Sequence, residues 1–339
     1  MDSNEKLELI TRNLQEIIGE DELKELLQKK KEISIYWGTM PTGSISIAYF
    51  FPMLKIADFL KAGCNVKILL ADLHALLDGV PLDVLEKRYR YYKAAILLIL
   101  KTIGVDTKKL TFVKGSDIQL DKNYFHDLLK LSTFTTIRNS TKAASEAVKT
   151  AQGDNVMLSG MIYPLMQALD EEYLKVDAQF AGLDQRKIMV YAREYMPRIG
   201  YKPRIELMVP MIRGLVGKQM SSSNASSKID LIDDETSIKK KINGAECTEG
   251  NSDNGIMSLL KYLIFIIKEG KGETLTIERP DKFGGNIEYR TYEEIEKDFN
   301  AKKLHPLDLK NAVAKELINL LSAFRKDKEL IKLYKEAYK

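Results

Sequence analysis

Two cysteines, Cys64 and Cys247, are all that the 339 residues contain, and no CxxC pair is among them. No disulfide framework is available, and a reduced, intracellular compartment is the natural setting. Long hydrophobic runs are also missing. The longest, "AAILLILKTI", is charged too soon to cross a bilayer, which needs ~20 apolar residues. Charge of one sign is not in excess: 52 Lys and Arg stand against 48 Asp and Glu, for a net charge of +4. That balance permits a nucleic-acid partner without demanding one. The opening "MDSNEKLELITRNLQEI" is acidic and mixed, so no signal or transit peptide is expected. The expectation is a soluble, cytoplasmic protein with no membrane partner. Also absent are a GxGxxG fingerprint and a Walker lysine, although "YWGTMPTGSISIAYFFPMLKIADFLKAG" has the strand–loop–helix layout that usually carries one. No internal repeat and no low-complexity tract beyond a serine cluster is visible.

What is present is alternation. After amphipathic helices over 3–30, broken at Gly19, the run "ISIYW" reads as a strand and 46–62 as a helix. "NVKILLADLHA" reads as one continuous buried strand, 81–103 as a helix and "KLTFVKG" as a short strand. Residues 121–170 read as mostly helical, "YLKVDAQ" as a strand and "FAGLDQRK" as a turn into another helix. Alternation of this kind implies an α/β fold with a doubly wound parallel sheet. Ligands then sit at the carboxyl ends of the strands, in the loops after Trp37, Leu70 and Gln179. "GLVGKQMSSSNASSKIDLIDD" reads as loop. Helices resume at 235–242, "IMSLLKYLIFIIK" and "LDLKNAVAKELINLLSAFRK", with a β-like stretch, "ETLTIERPDKFGGNIEYRTY", between the last two. A boundary near Ser227 divides a domain of 1–227, with a helical insertion near 115–155, from a mostly helical domain of 228–339.

Tyr163, Gln167 and Asp170 share one helix face through i, i+4 and i+7 spacing. Such a face is ordinarily solvated. Pro164 and the apolar neighbours favour burial instead, where each polar group must find a partner. Asp184 at a strand–helix turn is ordinarily an N-cap. Lone His74, after a strand, is ordinarily a structural hydrogen-bonder. Phe283 reads either as core or as a platform for a nucleic-acid base, and Asp308 either as the cap of a helix starting at Leu309 or as an acceptor for a base edge.

"YWGTMPTG", "LLADLHA", "YPLMQALDEEYLKVDAQFAGLDQRK", "GLVGKQMSSS" and "LHPLDLKNAVAKELI" stand in the order and spacing of tyrosyl-tRNA synthetases of the eukaryotic and archaeal type. The chain resembles that family over nearly its whole length. The resemblance implies a Rossmann-like class I catalytic domain, a helical anticodon-binding domain, and tyrosine, ATP with Mg²⁺ and tRNA(Tyr) as substrates and partners of a homodimer. It assigns Tyr36 and Asp170 to the phenolic hydroxyl and Tyr163, Gln167 and Gln185 to the α-amino group. Leu69, His74, Gln119 and Leu174 complete that pocket, with His74 as a wall rather than an acid or base.

For ATP the resemblance implies Asp184 at the ribose and Gly182 beside it. Gly38, Thr39 and Gly43 would lie against the triphosphate. The first family signature, HIGH, is represented by Ser46, Ile47, Ala48 and Tyr49. The second, KMSKS, is Gln219, Met220, Ser221, Ser222 and Ser223, with Lys218 one residue upstream to stand in for the missing lysine. No carboxylate cage stands out, so no protein-bound metal is expected and Mg²⁺ would arrive on the nucleotide phosphates. Lys142, Arg186 and Lys187 are assigned to the tRNA acceptor end, and Phe283, His305 and Asp308 to a guanine of the anticodon. Alternatives are a homologue that binds tyrosine or tRNA without activating the amino acid, a tryptophanyl-tRNA synthetase, and another adenylyl transferase on the same fold.

Overall fold

The computed structural model describes residues 1–29, 32–149, 152–153, 155–217 and 227–339. The chain divides into two compact units. The first comprises residues 1–42, 55–94 and 104–211 and is built on a six-stranded sheet. Its strands are β1 (Glu16–Ile18), β2 (Ser34–Thr39), β3 (Asn65–Leu70), β4 (Leu110–Lys114), β5 (Ala178–Gly182) and β6 (Ile205–Val209). They lie in the order β1-β6-β5-β2-β3-β4. All pairs are parallel except β1 against β6. Ala178–Ala181 and Ile205–Met208 are buried at every position, as expected of parallel strands covered on both faces. The chain lays β3 and β4 on one side of β2, then returns to place β5 and β6 on the other. Strand order therefore reverses at β2, and the crevice outside its carboxyl end is where such sheets hold ligands.

The doubly wound sheet anticipated from the sequence is present, with differences at strand ends. β3 stops at Leu70, and Asp72–Leu77 is a helix rather than more strand. A short apolar run has no periodicity that separates helix from strand. Here Asp72 turns away to accept the Ser116 backbone N–H at 2.8 Å. The helix Leu158–Tyr173 runs further than expected and is closed by Lys175 in a left-handed conformation (φ 52°), so β5 begins only at Ala178. β1 and β6 were not anticipated. In β6, Glu206 interrupts an otherwise apolar "IELMV" and hides the strand.

Helices Lys122–Ser132, Ile137–Ala144, Leu158–Tyr173 and Arg186–Tyr195 share one apolar core, including Tyr124, Leu131, Ala143, Leu165, Leu169 and Ile188. Leu158–Tyr173 is buried without a break from Tyr163 to Glu171, the pattern of a helix surrounded by protein.

The second unit comprises residues 43–54, 95–103 and 212–339. Helix Glu235–Asn243 is capped by the Asp234 side chain. "IMSLLKYLIFIIK" forms helix Gly255–Leu259, a π-turn Leu260–Ile264 and helix Phe265–Lys271 in succession. β7 (Leu275–Ile277) and β8 (Ile287–Tyr289) form an antiparallel hairpin, and helices Tyr292–Asn300, Pro306–Leu320, Ser322–Lys326 and Lys328–Tyr338 follow.

Candidate active site

In the first unit, contacts link Tyr36, Leu69, His74, Gln119, Tyr163, Gln167, Asp170 and Leu174 to one another in smaller groups, whereas Gln185 lies in the turn after β5. Tyr36, Leu69 and Leu174 belong to one apolar cluster with Ala71 and Val176. Asp170 is 1% exposed, on the buried stretch of helix Leu158–Tyr173. Its Oδ1 accepts from Gln119 Nε2 at 2.9 Å and from the Tyr124 hydroxyl at 2.9 Å. Burial pushes this carboxyl up to about 7, against the lowering effect of those two donors. The solvated-face reading of Tyr163, Gln167 and Asp170 is therefore excluded: all three are buried.

Gln119 is itself placed by local sequence. It ends the short helix Gly115–Gln119, and Asp72 Oδ1 accepts from the Ser116 N–H at that helix's start. A side chain at position 115 would meet Asp72 Oδ1 at 2.7 Å and Gln119 Oε1 at 2.8 Å, so only glycine admits this packing. The Gln119 amide nitrogen also lies 3.1 Å from His74 Nδ1. Nδ1 thus accepts, and the imidazole hydrogen sits on Nε2, 3.7 Å from Asp170 Oδ2. Burial holds His74 down to about 3, so the ring is neutral. Tyr163 meets it edge-on, with ring centroids 4.5 Å apart. The Tyr36 hydroxyl lies 3.5 Å from the Gln167 carbonyl oxygen. Burial raises its pKa well above the usual phenol range, with Glu171, Asp170 and Glu206 adding to the effect.

Several polar residues here were not foreseen. Tyr124 is one; its single hydrogen serves both Asp170 and the Met166 carbonyl at 2.8 Å. A row across the sheet aligns Lys67, Tyr36, Gln179 and Glu206 on β3, β2, β5 and β6. Residues opposite one another in register share a face. Gln179 Oε1 and all four carboxyl oxygens of Glu171 and Glu206 are buried, and among the described residues none has a hydrogen-bond partner. Burial pushes both glutamates above the ordinary range, with Asp170 adding to it for Glu171 and Glu171 for Glu206. No motif marks Glu206, because a single polar residue inside a buried strand leaves no periodic trace, and Glu171 reads as one of three consecutive acids near a helix end.

At the end of β5, Asp184 and Gln185 lie in the turn Leu183–Gln185, with Gln185 Nε2 donating to Asp184 Oδ2 at 3.0 Å. Burial raises the Asp184 carboxyl. A side chain at Gly182 would sit 2.5 Å from Asp184 Oδ1, so this glycine leaves room for the acid. Gly38 and Thr39 close β2. Arg186, which follows the turn, is engaged by Glu16 in a two-pronged pair at 2.7 and 2.8 Å. Lys187 Nζ reaches Ser145 Oγ at 2.9 Å and Glu146 Oε1 at 2.8 Å, and Lys142 is exposed on the same segment.

In the second unit, Gly43 accepts from the Tyr338 hydroxyl at 2.6 Å. Ser46 is 7% exposed, and its oxygen caps the single turn Ile47–Tyr49 by accepting from the Ala48 N–H at 3.4 Å. Lys218, Gln219, Met220, Ser221, Ser222 and Ser223 lie outside the described residues. Phe283 is 62% exposed and is not core, with the Lys282 ammonium 5.0 Å from its ring centroid. The helix expected from Leu309 starts at Pro306 instead, and its cap is His305, whose Nδ1 accepts from the Leu307 N–H at 3.2 Å. Asp308 is in its first turn. Arg279, also unforeseen, donates to Gly285 O at 3.1 Å and Lys303 O at 3.3 Å, tying the Phe283 turn to the segment before His305.

Residues 28–322 match the family model of class I tRNA synthetases for tryptophan and tyrosine. The chain is 51% identical, over 98% of its length, to the cytoplasmic tyrosine–tRNA ligase of Gallus gallus, of which it spans 63%. It is 47% identical over 99% of its length to the cytoplasmic tyrosine–tRNA ligase of Saccharomyces cerevisiae, covering 87% of that protein. Among solved structures it is similar to the tyrosyl-tRNA synthetase of Archaeoglobus fulgidus complexed with L-tyrosine, at 38% identity and a TM-score of 0.88, over 96% of this chain and 99% of that one. Among the described residues, no helix is long and apolar enough to cross a membrane. With a parallel sheet whose order reverses at β2, a buried acid beside that crevice and this similarity along nearly the whole sequence, the chain belongs to the class I tRNA synthetases, in the tyrosyl-tRNA synthetase family.

Proposed function

We propose that the chain is a tyrosine–tRNA ligase. A tyrosine carboxylate oxygen attacks the α-phosphorus of ATP, and the bond to the β-phosphate breaks with its electron pair leaving on pyrophosphate. A ribose hydroxyl at the 3′ end of tRNA(Tyr) then attacks the tyrosyl carbonyl carbon, and AMP departs. The protein's task is to hold these groups in line and to stabilise charge on the leaving phosphates. Mg²⁺, when bound, would reach the site on the nucleotide.

The observation that carries this reading is Asp170: a buried acid with one oxygen taken by Gln119 and Tyr124, near an apolar cluster that includes Tyr36. Such an acid suits a phenolic hydroxyl and disfavours phenylalanine, which would leave it unpaired. Tyr163, Gln167 and Gln185 are assigned to the amino group, with Leu69, His74 and Leu174 as walls. Asp184, Gly182, Gly38 and Thr39 are assigned to the nucleotide. Gly43, Ser46, Tyr49, Lys218, Met220 and Ser221–Ser223 keep the phosphate role that the resemblance gives them. Lys142, Arg186 and Lys187 are assigned to the acceptor end, and Phe283, His305 and Asp308 to an anticodon base. A homodimer accords with the exposed apolar side chains Leu120, Phe125, Leu129, Phe134, Ile137 and Leu158 in the first unit.

Tyrosine-dependent pyrophosphate exchange by the full chain is the test, followed by charging of tRNA(Tyr). Gln219 in the place of a signature lysine favours a second reading, a homologue that binds without activating. Bound tyrosine without exchange would select that reading. Exchange driven by tryptophan rather than tyrosine would overturn both.

A further inference from the structure

Within the second unit, residues 44–47 lie alongside residues 228–231. The Ile47 N–H donates to Ile229 O at 2.8 Å and the Leu231 N–H to Ile45 O at 3.2 Å, pairing Ser46 with Asp230. Beside this pairing sits Lys228, a charged residue that is only 5% exposed. Its ammonium donates to Ser44 Oγ at 2.8 Å and Ser44 O at 3.3 Å, and pairs with Asp230 Oδ1 at 2.8 Å. Ser44 Oγ donates in turn to Asp230 Oδ1 at 3.0 Å. The Asp230 N–H is held by Asp233 Oδ2 at 2.9 Å, and Asp233 by the Lys241 ammonium at 2.6 Å. At the start of the same segment, the Tyr338 hydroxyl donates to Gly43 O at 2.6 Å.

A buried lysine beside a proposed phosphate-binding segment could be a ligand cation or an internal fastening. An ammonium has three hydrogens, and three acceptors within the protein already take them. That favours the fastening. Ionic hydrogen bonds in a site with little water are also stiff and geometrically demanding, which suits a part that must hold backbone in place.

We propose that Lys228, with Ser44 and Asp230, is a positioning residue that fixes the backbone of residues 43–49 for the activation step, and that the Tyr338 hydroxyl fixes the beginning of that segment. The proposal rests on the ligase reading above, in which those residues meet the nucleotide's phosphates. Lys228 acts through the segment and touches no substrate.

Three variants of the full chain test this. Lys228→Met keeps the stem and removes all three donors, whereas Ser44→Ala and Tyr338→Phe each remove one hydroxyl and leave the fold its packing. Pyrophosphate exchange is measured while ATP and tyrosine are varied separately, and tyrosine binding without nucleotide is measured by calorimetry. Misplacement of a reacting group by a distant substitution can cost about a hundredfold, so Lys228→Met is expected to lower kcat/KM for ATP by at least about tenfold and the hydroxyl variants by about threefold. Tyrosine Kd should stay within about twofold of the native value. If Lys228→Met does not fold, the two hydroxyl variants carry the test. A native chain that exchanges normally, with variants that match it or lose tyrosine binding to the same degree, overturns this proposal alone. A native chain with no exchange overturns the ligase reading and this proposal with it.

Discussion

The hydroxyl of Tyr124 lies 2.9 Å from Oδ1 of Asp170, in an interior where the acid has little other means of holding its charge. Removing that oxygen leaves Asp170 with the Gln119 amide alone. A hydrogen bond to a charged group is worth about 1.5–3 kcal/mol, so Tyr124→Phe should weaken tyrosine binding by about tenfold or more. Preference over phenylalanine should narrow as well. Calorimetric titration with both amino acids checks it, and unchanged selectivity would mean that Gln119 suffices.

Asp170 also sets an expectation for pH. Its carboxyl is raised to about 7 in the fold. A phenolic hydroxyl donating to it favours the ionised form, so tyrosine binding should release a proton near neutrality and weaken as pH falls below about 7. His74, held near 3, contributes nothing there. Titrations in buffers of different ionisation enthalpy measure the released proton. Asp170→Asn should abolish the release.

How far was all this visible in the letters of the chain? Asp170 stood out through the role the family resemblance gives it and through its place with Tyr163 and Gln167 on one helix face, although that spacing alone reads as a solvated surface. Tyr124 did not, since it lies 46 positions away from Asp170 and meets it only once the core is packed. The sheet was legible from the alternation of apolar strands with helices, whereas β6 was not, because Glu206 sits in its middle. The strand after Tyr173 was read too early: nothing local tells a helix of buried residues where to stop until a left-handed Lys175 closes it.

Glu171 and Glu206 should make the protein less stable as pH rises. Both acids are pushed above the ordinary glutamate range by burial, with Asp170 adding to it for Glu171 and Glu171 adding to it for Glu206. The folded state therefore holds their protons more tightly than the unfolded chain does. That stabilisation is complete below about pH 4.5 and is lost as pH climbs through the raised values. Thermal midpoints should fall from weakly acid to alkaline pH, and Glu206→Gln should flatten the slope. An equal slope in that variant would place the protons elsewhere.

Phe283 offers a separable effect. Stacking of a base on an aromatic is worth about 1–3 kcal/mol, so Phe283→Ala should lower tRNA charging by about five- to a hundredfold. Pyrophosphate exchange, which needs no tRNA, should be unaffected. Parallel loss of both activities would assign Phe283 to the fold instead.

The two-pronged grip of Glu16 on Arg186 bears on how an RNA end would be received. Two of the five guanidinium N–H groups are held by the carboxylate, so others remain to meet a phosphate, but the same carboxylate repels the anion that the cation attracts. Capture is then governed by the balance of an attraction and a repulsion rather than by the strength of one. Erasing the incumbent, with Glu16→Gln, would leave the newcomer unopposed and make the grip on RNA firmer, not weaker.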